Sequence, residues 1–319
     1  MKNTITTPLV ILCILTIISI GCKKDKELKL NNNANETDQK NIDFTDEEND
    51  YIKKLQRKGY LTIATRNRAT IFEKDKFGQD KHGGLEYKIA KSFADFFGIK
   101  IKIEMVNSVQ EYFARDGKIP DAIIEAGLTD GSIPSYTPDI LKKSDVIVDG
   151  LSAQRWRLKL MSFVKTIPDK DVIVARKGII VEKLEDLAKY RIAIVPLTAY
   201  GTTLKRVENH LGAKFTYVEV SDTPELARAV SSGDADITAL AGFTSIIEMR
   251  KYNNLIVTIP LSTSEADWSH WAVKKEDTIL AGILQKYINY AKNTGIYDNL
   301  WLDSLGISYT EFMTIIRVM

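Results

Sequence analysis

The sequence predicts an α/β fold, because two stretches of it alternate apolar strands with amphipathic helices. The first runs from a strand at 61–65 through a helix at 85–97 to a strand at 99–106. The second runs from a strand at 191–195 through a helix to a strand at 215–220. Strand, helix and strand in this order form a βαβ unit, which implies parallel strands. The roughly 270 residues that follow the N-terminal segments are enough for one large core or for two lobes.

The remaining apolar patterns extend this alternation along the chain. The helix at 45–56 is expected to begin at Thr45, because Glu48 three residues later completes a capping box. Gly98 and Gly212 each follow an amphipathic helix and are expected to end it. Further strands are predicted at 145–148, 171–175, 235–241, 255–259 and 268–273, and further helices at 184–187, 223–231, 278–292 and 299–305.

The chain begins with a predicted export signal. Lys2 precedes a nearly uninterrupted apolar run at 8–20, and this run is shorter than the ~20 residues that a membrane-spanning helix needs. It ends in SIGC at 19–22, which resembles the signal of bacterial lipoproteins with serine in the place of the usual leucine. The sequence therefore predicts a signal peptide at 1–22 and a lipid on Cys22. An ordinary secretory signal or an uncleaved anchor is the alternative.

Residues 23–50 are predicted to form a disordered tether, because they contain many charged and asparagine residues and a single aromatic one. Such a segment cannot bury enough apolar surface to offset the entropy lost on ordering. The net charge of +2 and the pI of 8.2 exclude the broad basic surface of nucleic-acid-binding proteins. The cysteines are Cys13 and Cys22, so the mature domain is expected to have no disulfide. The histidines are scattered, and we expect no metal and no cofactor.

Residues 145–163 form the stretch in which we expect a ligand site. The apolar run at 145–148 predicts a buried strand, and Gly150 is expected to end it. From Gln154 onward the apolar residues recur at roughly helical spacing among basic ones. Ligands of open α/β sheets lie beyond the carboxyl ends of the strands, and the planar guanidinium of an arginine can hold a carboxylate through two parallel hydrogen bonds. Arg157 is therefore a candidate anion ligand, and a solvated surface arginine is the alternative.

The start of the helix that ends at Leu211 is a second candidate binding element. The first turn of a helix has N–H groups without an acceptor in the helix and carries partial positive charge, so it attracts anions. Thr198 and Tyr200 lie at this turn. A threonine that only caps the helix is the alternative for Thr198, and capping is compatible with ligand binding.

Three motifs in this order resemble the bacterial extracellular solute-binding proteins of family 3, which have the type II periplasmic-binding fold. They are LTIATRNR at 61–68, GLEYKIA at 84–90, and GLSAQRWR at 150–157 followed by Phe163. The resemblance implies two lobes, each a mostly parallel sheet flanked by helices, joined by two crossing strands. It places lobe 1 at 51–174 and 261–319 and lobe 2 at 175–260. The ligand-binding residues that we predict with its help are Asn67, Phe72, Ser152, Gln154, Arg157, Thr198, Tyr200 and Trp268; for Trp268 a place in the core is the alternative.

One departure from this family bears on the ligand. Amino-acid-binding members usually end the strand at 235–241 with an aspartate that pairs with the α-ammonium, and here Ala241 and Gly242 stand at that place. A buried ammonium group without an acidic partner is costly. Either another acid serves, with Glu86 and Asp149 as candidates, or the ligand is not an ordinary α-amino acid. We favour the second interpretation, which predicts a small organic anion.

A second departure is the length of the segment at 107–143, which exceeds what that family usually has between these elements. It contains the turn-rich sequences GKIPD at 117–121 and PSYTP at 134–138. Thr137 is expected to cap a short helix that ends at Lys143. The segment is predicted to decorate the edge of the cleft, with no function assigned to it.

The resemblance implies a monomeric, exported receptor, anchored to a bacterial membrane through Cys22, that captures a small carboxylate-bearing ligand. An ABC permease is a candidate partner, and nucleic acid is not. The first lobe is also similar to the N-terminal domain of membrane-bound lytic murein transglycosylase F, especially at 84–98. In that family a lysozyme-like domain with a catalytic glutamate follows, and because this sequence ends at Met319, no lytic activity is expected.

Three alternatives to a transport receptor remain open at this point. They are a sensory lipoprotein that serves no transporter, a periplasmic dehydratase-like enzyme, and an enzyme related to transglycosylase F. No acid in the sequence stands out as the general acid of a dehydratase, and the sequence contains no GxSxG, HExxH or P-loop motif. We therefore predict a binding protein that is not an enzyme.

Overall fold

The computed structural model describes residues 42–68, 70–74, 79–123, 133–196, 198–261 and 267–318. The predicted signal peptide, Cys22 and most of the tether lie outside these residues, as do the side chain of Phe72 and the backbone of Leu197. In chain order the helices and strands are Asp46–Lys58 (α1), Tyr60–Arg66 (β1), Phe72–Lys74 (β2), Asp80–His82 (β3), Leu85–Phe96 (α2), Lys100–Val106 (β4), Asp139–Lys143 (α3), Val146–Leu151 (β5), Met161–Asp169 (β6), Asp171–Arg176 (β7), Arg191–Ile194 (β8), Ala199–Leu211 (α4), Thr216–Glu219 (β9), Thr223–Ser232 (α5), Ile237–Ala241 (β10), Gly242–Lys251 (α6), Leu255–Pro260 (β11), Asp267–Lys274 (β12), Thr278–Asn293 (α7), Ile296–Leu305 (α8) and Tyr309–Val318 (α9).

The strands form two five-stranded sheets and one small two-stranded one. The first large sheet has the order β4-β1-β5-β12-β6 and the second has the order β11-β7-β10-β8-β9. In each sheet one strand, β12 or β7, runs antiparallel to both of its neighbours, so the other four strands share one direction. We call the first sheet with its helices the first lobe and the second sheet with its helices the second lobe. The predicted two-lobed α/β fold with mostly parallel sheets is thereby confirmed.

Two segments carry the chain between the lobes. The first is short, because β6 of the first sheet is followed after Lys170 by β7 of the second sheet. The second lies between β11 and β12, and residues 262–266 of it are outside the described part of the chain. The segments are tied together where they meet, since the amide of Leu261 donates to the carbonyl oxygen of Asp171 at 2.8 Å. The backbone at this junction is therefore held by hydrogen bonds on the side of the second lobe.

Local sequence signals set the helix ends that position the lobes. Thr45 accepts a hydrogen bond from the amide of Glu48, whose carboxylate accepts one from the amide of Thr45, so the predicted capping box is confirmed. The hydroxyl of Thr198 accepts from the amide of Gly201 at the start of α4. Gly212 ends the same helix with φ of 59°, a left-handed conformation that glycine adopts without steric cost.

The stretch that we expected to hold the ligand site is folded differently from the prediction. β5 does not end at Gly150 but continues to Leu151, and Gly150 has a φ of 50° within the strand, a conformation that favours glycine. The roughly helical spacing from Gln154 onward does not mark a helix, since one 3-10 turn at Arg157–Lys159 leads into β6. The buried residues of a tight turn and of the strand after it imitate helical spacing in the sequence. The expected cap at Thr137 is also wrong, because Pro138 occupies the N-cap position of α3.

The core of the first lobe is rich in aromatic residues and extends across the lobe junction. Trp271, Trp301 and Tyr297 are fully buried in it beside α2, α7 and α8. The same cluster includes Phe243 of α6 from the second lobe together with Phe312, Ile315 and Ile316 of α9. Within the described ranges, no helix combines the length and the apolar character needed to cross a bilayer.

Candidate functional site

A cleft with a volume of 490 Å³ lies between the two lobes. Its walls come from the ends of β1, β5 and β6 and the start of β12 in the first lobe, and from the starts of α4 and α5 and the end of β10 in the second lobe. Polar side chains dominate the lining, in contrast to the mostly apolar lining of a typical small-molecule pocket, so the cleft suits a polar solute. The lining residues used below are Arg66, Arg68, Asp149, Ser152, Gln154, Arg155, Arg157, Lys165, Asp169, Asp171, Thr198, Tyr200, Arg206, Ala241, Trp268, Ser269 and His270.

Arg157 is held rigidly in the first-lobe wall of this cleft. Its side chain is buried, with 2% of the residue exposed, so it is not the solvated surface arginine of the alternative interpretation. One terminal nitrogen, Nη1, donates to the Ser152 hydroxyl at 2.9 Å and to the Ser152 carbonyl oxygen at 3.2 Å. The guanidinium carbon lies 5.0 Å from the ring centroids of both Phe113 and Trp156. These contacts fix the plane of the guanidinium before any ligand arrives.

Gln154 supports this arginine through its aromatic neighbour. The indole Nε1 of Trp156 donates to the side-chain oxygen of Gln154 at 2.9 Å. The ring of Trp156 also packs edge-on against Phe113, with centroids 4.6 Å apart. The predicted residues Ser152, Gln154 and Arg157 therefore lie together. Ser152 holds the guanidinium directly, and Gln154 holds it through Trp156.

The second lobe contributes the start of α4. The hydroxyl of Thr198 both accepts from the amide of Gly201 at 3.2 Å and donates to the carbonyl oxygen of Val195 at 2.8 Å. Thr198 is thus a helix cap. The atoms of this turn that suit an anion are the backbone N–H groups of Ala199 and Tyr200, two residues that belong to the cleft lining.

Tyr200 brings a phenol to the floor of the cleft beside the end of β10. Burial is the largest cause that raises the pKa of its hydroxyl, and the carboxylate of Asp171 raises that pKa further. The backbone of Ala241 faces the same hydroxyl. A neutral phenol at this place can donate to a carboxylate or accept from a donor on a ligand.

A buried network of charges lies beneath the first-lobe wall. The carboxylate of Asp149 accepts from Nε of Arg66 and from Nη1 of Arg68, each at 2.5 Å. Burial by itself would raise the pKa of Asp149, but the two guanidinium groups lower it below its ordinary value. Asp149 is therefore ionised and fully engaged, which leaves it no capacity to bind an ammonium group of a ligand.

Glu86, the other acid considered for that role, lies behind the network. It is fully buried in the first turn of α2, near Gly150 and Arg68, and does not line the cleft. Burial raises its pKa, and the proximity of Arg68 opposes that increase. Neither acid that the sequence suggested is thus placed to replace the aspartate missing at Ala241.

Two acids that the sequence did not suggest line the cleft at the first crossing segment. Asp169 accepts from the amide of Lys170 at 2.8 Å and from the hydroxyl of Ser269 at 3.2 Å. Burial and the neighbouring carboxylate of Asp171 raise the pKa of Asp169 to about 8, so its carboxyl group is neutral near pH 7. In the sequence this pair appears only as DKD at 169–171, at the junction of two strands. The pattern does not indicate a site by itself, because the two acids reach the cleft only through the connection between the two sheets.

The other predicted residues fall in different places. Asn67 is exposed between the two buried arginines of the network and does not line the cleft. Phe72 begins β2, and its side chain lies outside the described part. Trp268 lines the cleft, with the Nζ atoms of Lys165 and Lys292 at 5.7 Å and 4.7 Å from its ring centroid.

Cations outnumber ionised carboxylates in the lining. Arg66 and Arg68 are compensated by Asp149. Apart from these three residues, the lining contains two acids, Asp171 and Asp169 with its raised pKa, and four cationic residues, which are Arg155, Arg157, Lys165 and Arg206. His270 is held neutral by burial, which lowers its pKa. The described residues contain no group of three or more His, Cys, Asp and Glu side chains that could hold a metal ion.

No family model matches the chain. Among curated proteins it is similar to membrane-bound lytic murein transglycosylase F. The protein from Pseudomonas fluorescens (strain Pf0-1) is 21% identical over 253 residues, which are 78% of this chain and 46% of that protein. The protein from Ectopseudomonas mendocina (strain ymp) is 26% identical over 238 residues, which are 73% of this chain and 43% of that protein. The chain thus spans less than half the length of these relatives, and the match is too long to be confined to the first lobe.

Among solved structures the chain is similar to amino-acid-binding proteins. A mutant of ArgBP from T. maritima has a TM-score of 0.59 at 21% identity, and covers 80% of this chain and 99% of its own. An amino acid ABC transporter substrate-binding protein from Streptococcus pneumoniae, bound to L-arginine, has a TM-score of 0.62 at 18% identity, with 81% and 98% covered. The ancestral amino acid-binding protein AncCDT-1, a precursor of cyclohexadienyl dehydratase, has a TM-score of 0.59 at 20% identity, with 80% and 99% covered.

These similarities confirm the predicted type II periplasmic-binding fold and the resemblance to extracellular solute-binding proteins of family 3. At this level of identity the solved structures define the fold alone, and a fold hosts many functions. What this chain does must be argued from its own cleft.

Proposed function

We propose that this chain is an extracytoplasmic solute receptor that captures a small carboxylate-bearing ligand between its two lobes. The observation that carries the proposal is the cleft itself, in which a braced, buried arginine on one lobe and a helix start on the other line the same cavity. In this proposal Arg157 holds the carboxylate through charge-assisted hydrogen bonds. The first-turn amides of α4 then meet the same anion from the second lobe.

The surplus of cations in the lining supports an anionic ligand. A neutral Asp169 does not cancel this surplus near pH 7, and Asp149 is compensated by two arginines within the protein. An ordinary α-amino acid would need an ionised acid beside its ammonium group. Ala241 provides none and Asp169 is held neutral, so Asp171 is the crossing-segment acid that an ammonium group could still approach.

We propose that the lobes close around the ligand after it has entered the cleft, and that this closure makes binding tight. Arg66 of the first lobe reaches across to Asp222 of the second, with Nη1 and Oδ1 3.1 Å apart. Gln110 likewise donates to the carbonyl oxygen of Pro196 at 3.3 Å. Such contacts favour the closed state, in which water is excluded and the contacts to an anion become stronger. A ligand that touches both walls binds the closed state better and shifts the population towards it.

The cellular setting is part of the proposal. Lipid on Cys22 would hold the receptor at the outer face of a membrane, and the part of the predicted tether that precedes α1 would let the lobes move above it. An ABC permease is the proposed partner, and a sensory role without a transporter is the alternative. Genes for a permease and an ATPase beside the gene for this chain would favour transport.

The first experiment identifies the class of ligand. Native mass spectrometry of the purified domain should reveal a co-purified acid, and calorimetry should then compare N-acetyl-L-glutamate, L-glutamate and L-arginine. We expect N-acetyl-L-glutamate, which has carboxylates but no ammonium group, to bind and L-arginine not to bind. Binding of L-arginine without binding of the acid would reject an anionic ligand and favour an amino-acid receptor.

The second experiment removes the proposed anion contact. Arg157→Ala should weaken binding of N-acetyl-L-glutamate at least tenfold, since it removes a charge-assisted pair. Arg157→Lys is the matched control, because lysine keeps the charge but cannot form two parallel hydrogen bonds. We expect the lysine variant to lie between the wild type and the alanine variant. Unchanged affinity in the alanine variant, with circular dichroism confirming its fold, would exclude Arg157 from binding.

An enzyme related to dehydratases is the second candidate, and one observation favours it. Asp169 lines the cleft as a buried carboxylic acid with a pKa of about 8, which suits a general acid near neutral pH. The similarity to the ancestral precursor of cyclohexadienyl dehydratase makes an acid-assisted elimination the reaction to examine. Incubation with the co-purified ligand followed by mass spectrometry separates the two functions, because a receptor returns its ligand unaltered.

A further inference from the structure

A second cavity, with a volume of 680 Å³, lies beside the cleft on the first lobe. One wall comes from the end of the insertion at 107–143, the floor from the turn after β5, and the opposite wall from the residues that follow β12. We call this cavity the groove. It is lined by Ser135, Tyr136, Thr137, Arg155, Leu158, Lys159, Lys275 and Glu276.

The groove and the cleft meet at one side chain. Arg155 lines both cavities. It is exposed, whereas Arg157, two residues further along the same turn, is buried in the cleft wall. A ligand that extended out of the cleft past Arg155 would enter the groove.

The insertion is attached to the arginine of the cleft through a chain of contacts. The hydroxyl of Tyr136 donates to the carbonyl oxygen of Phe113 at 2.6 Å. The ring of Phe113 packs against Trp156 and lies 5.0 Å from the guanidinium carbon of Arg157. The guanidinium of Arg115 lies over the ring of Tyr136 at 5.6 Å. The groove wall therefore has a defined position relative to the carboxylate contact in the cleft.

The chemistry of the groove matches that of the cleft. Arg155, Lys159 and Lys275 give it three cations against one carboxylate, that of Glu276. Leu158, with 43% of its surface exposed, gives it an apolar patch. A chain that carries several carboxylates on short aliphatic side chains would satisfy both features.

We propose that the groove extends the binding site and holds the distal, negatively charged part of an elongated polycarboxylate, such as a short acidic peptide. This inference rests on the proposed function, since it assumes that one carboxylate of the same ligand is held at Arg157. It gives Ser135, Tyr136 and Thr137, near the end of the insertion, a role as the outer wall of an extended site.

The experiment compares probes of increasing length by calorimetry on the soluble domain. The probes are N-acetyl-L-glutamate and the N-acetylated peptides of two, three and four glutamates. Affinity should rise at least tenfold from the single residue to the tetrapeptide. The double variant Lys159→Gln/Lys275→Gln should lose that gain and leave the affinity for N-acetyl-L-glutamate within twofold. Lys142→Gln/Lys143→Gln is the matched control, because it removes the same charge from the end of α3, outside the groove.

The outcomes separate the groove from the cleft. If N-acetyl-L-glutamate binds but affinity does not rise with length, the groove is not part of the site, and the proposed capture of a carboxylate stands. If the control variant weakens the tetrapeptide as much as the groove variant does, the effect is general electrostatics and the groove proposal is overturned. If the tetrapeptide depends on Lys159 and Lys275 but not on Arg157, the groove stands as an anion site and the proposed role of the cleft fails.

Discussion

The two walls of the cleft are built on different principles. The first-lobe wall presents charged side chains fixed by a buried network, in which Asp149 joins Arg66 to Arg68 and the Phe113–Trp156 pair holds Arg157. The second-lobe wall presents a capped helix start and hydroxyl groups, and its cation is Arg206 on the face of α4. The rigid charged wall of the first lobe can orient an anion first. The N–H and hydroxyl dipoles of the second lobe can then contact the same anion when the lobes close. The difference suggests that stability and affinity depend on the first wall and closure on the second.

The largest loss of stability should follow from a substitution of Asp149, at the centre of the charged first-lobe wall. Asp149→Ala leaves two arginines buried without their acid, and it should lower the free energy of unfolding by about 3–5 kcal/mol. Urea denaturation followed by circular dichroism measures this loss. Asp149→Asn, which retains the volume and one acceptor, should lose less. A loss below about 1 kcal/mol in the alanine variant would mean that the network does not organise this wall.

The next largest effect concerns Asp169, the acid at the crossing segment, and should appear in the pH dependence of the free energy of unfolding. The pKa of Asp169 is raised from 3.8 to about 8 in the folded state, so the folded protein binds the proton more tightly than the unfolded chain. The stability that this provides is complete below pH 3.8 and is lost as the pH rises towards 8, with a slope of at most about 1.4 kcal/mol per pH unit.

Asp169→Asn mimics the neutral acid at every pH. Urea denaturation between pH 5 and 8 should therefore show the wild type losing stability relative to this variant, with a nearly constant slope from pH 5 to 7 that flattens towards pH 8. Parallel stability curves for the two proteins would show that Asp169 titrates normally and that it is not the neutral acid of the cleft. That result would also remove the support for the dehydratase alternative.

The smallest effect should come from the contact between the walls. Asp222 accepts from Arg66 and also caps α5 through the amide of Thr223 at 2.7 Å. Asp222→Asn keeps a side chain that caps helices well but removes the charge. Because Asp222 is partly exposed, the ion pair should stabilise the closed state over the open state by at most about 1 kcal/mol. Its loss should therefore lower the ratio of closed to open protein by a factor of about five at most.

Small-angle X-ray scattering or fluorescence transfer between labels on the two lobes measures this ratio. Added salt should open the wild type more than the Asp222→Asn variant, since screening weakens the pair that only the wild type has. Equal salt responses would show that the ion pair does not contribute to closure. Global stability should be unchanged in this variant, which separates it from the effect at Asp149.

The sequence predicted those parts of the site that depend on local patterns. Thr198 and Gly212 delimit α4 as expected, because caps are specified by a few adjacent residues. Ser152, Gln154 and Arg157 lie together in the cleft, since they share one turn. That they bind ligand remains a prediction.

The remaining features depend on contacts between distant segments and could not be predicted from local patterns. Asp169 and Asp171 reach the cleft only because β6 continues into the other sheet. Asp149 is engaged by arginines more than eighty residues earlier in the chain, which no spacing reveals. The sequence at 154–163 has a roughly helical spacing without being a helix, because the tight turn before β6 adds buried residues to those of the strand.

The packing of α6 against α9 has a consequence for the way in which the lobes rotate. Gly242 begins α6 beside the carbonyl oxygen of Lys170, and a side chain there would lie 3.6 Å from Ile316 of α9. At the other end of α6, Arg250 donates to the carbonyl oxygen of Leu305 in the first lobe. A second-lobe helix is thus anchored at both ends to the first lobe, next to the crossing segments. The rotation axis should run along this helix, so that residues far from it sweep through the largest arc while Asp169 hardly moves.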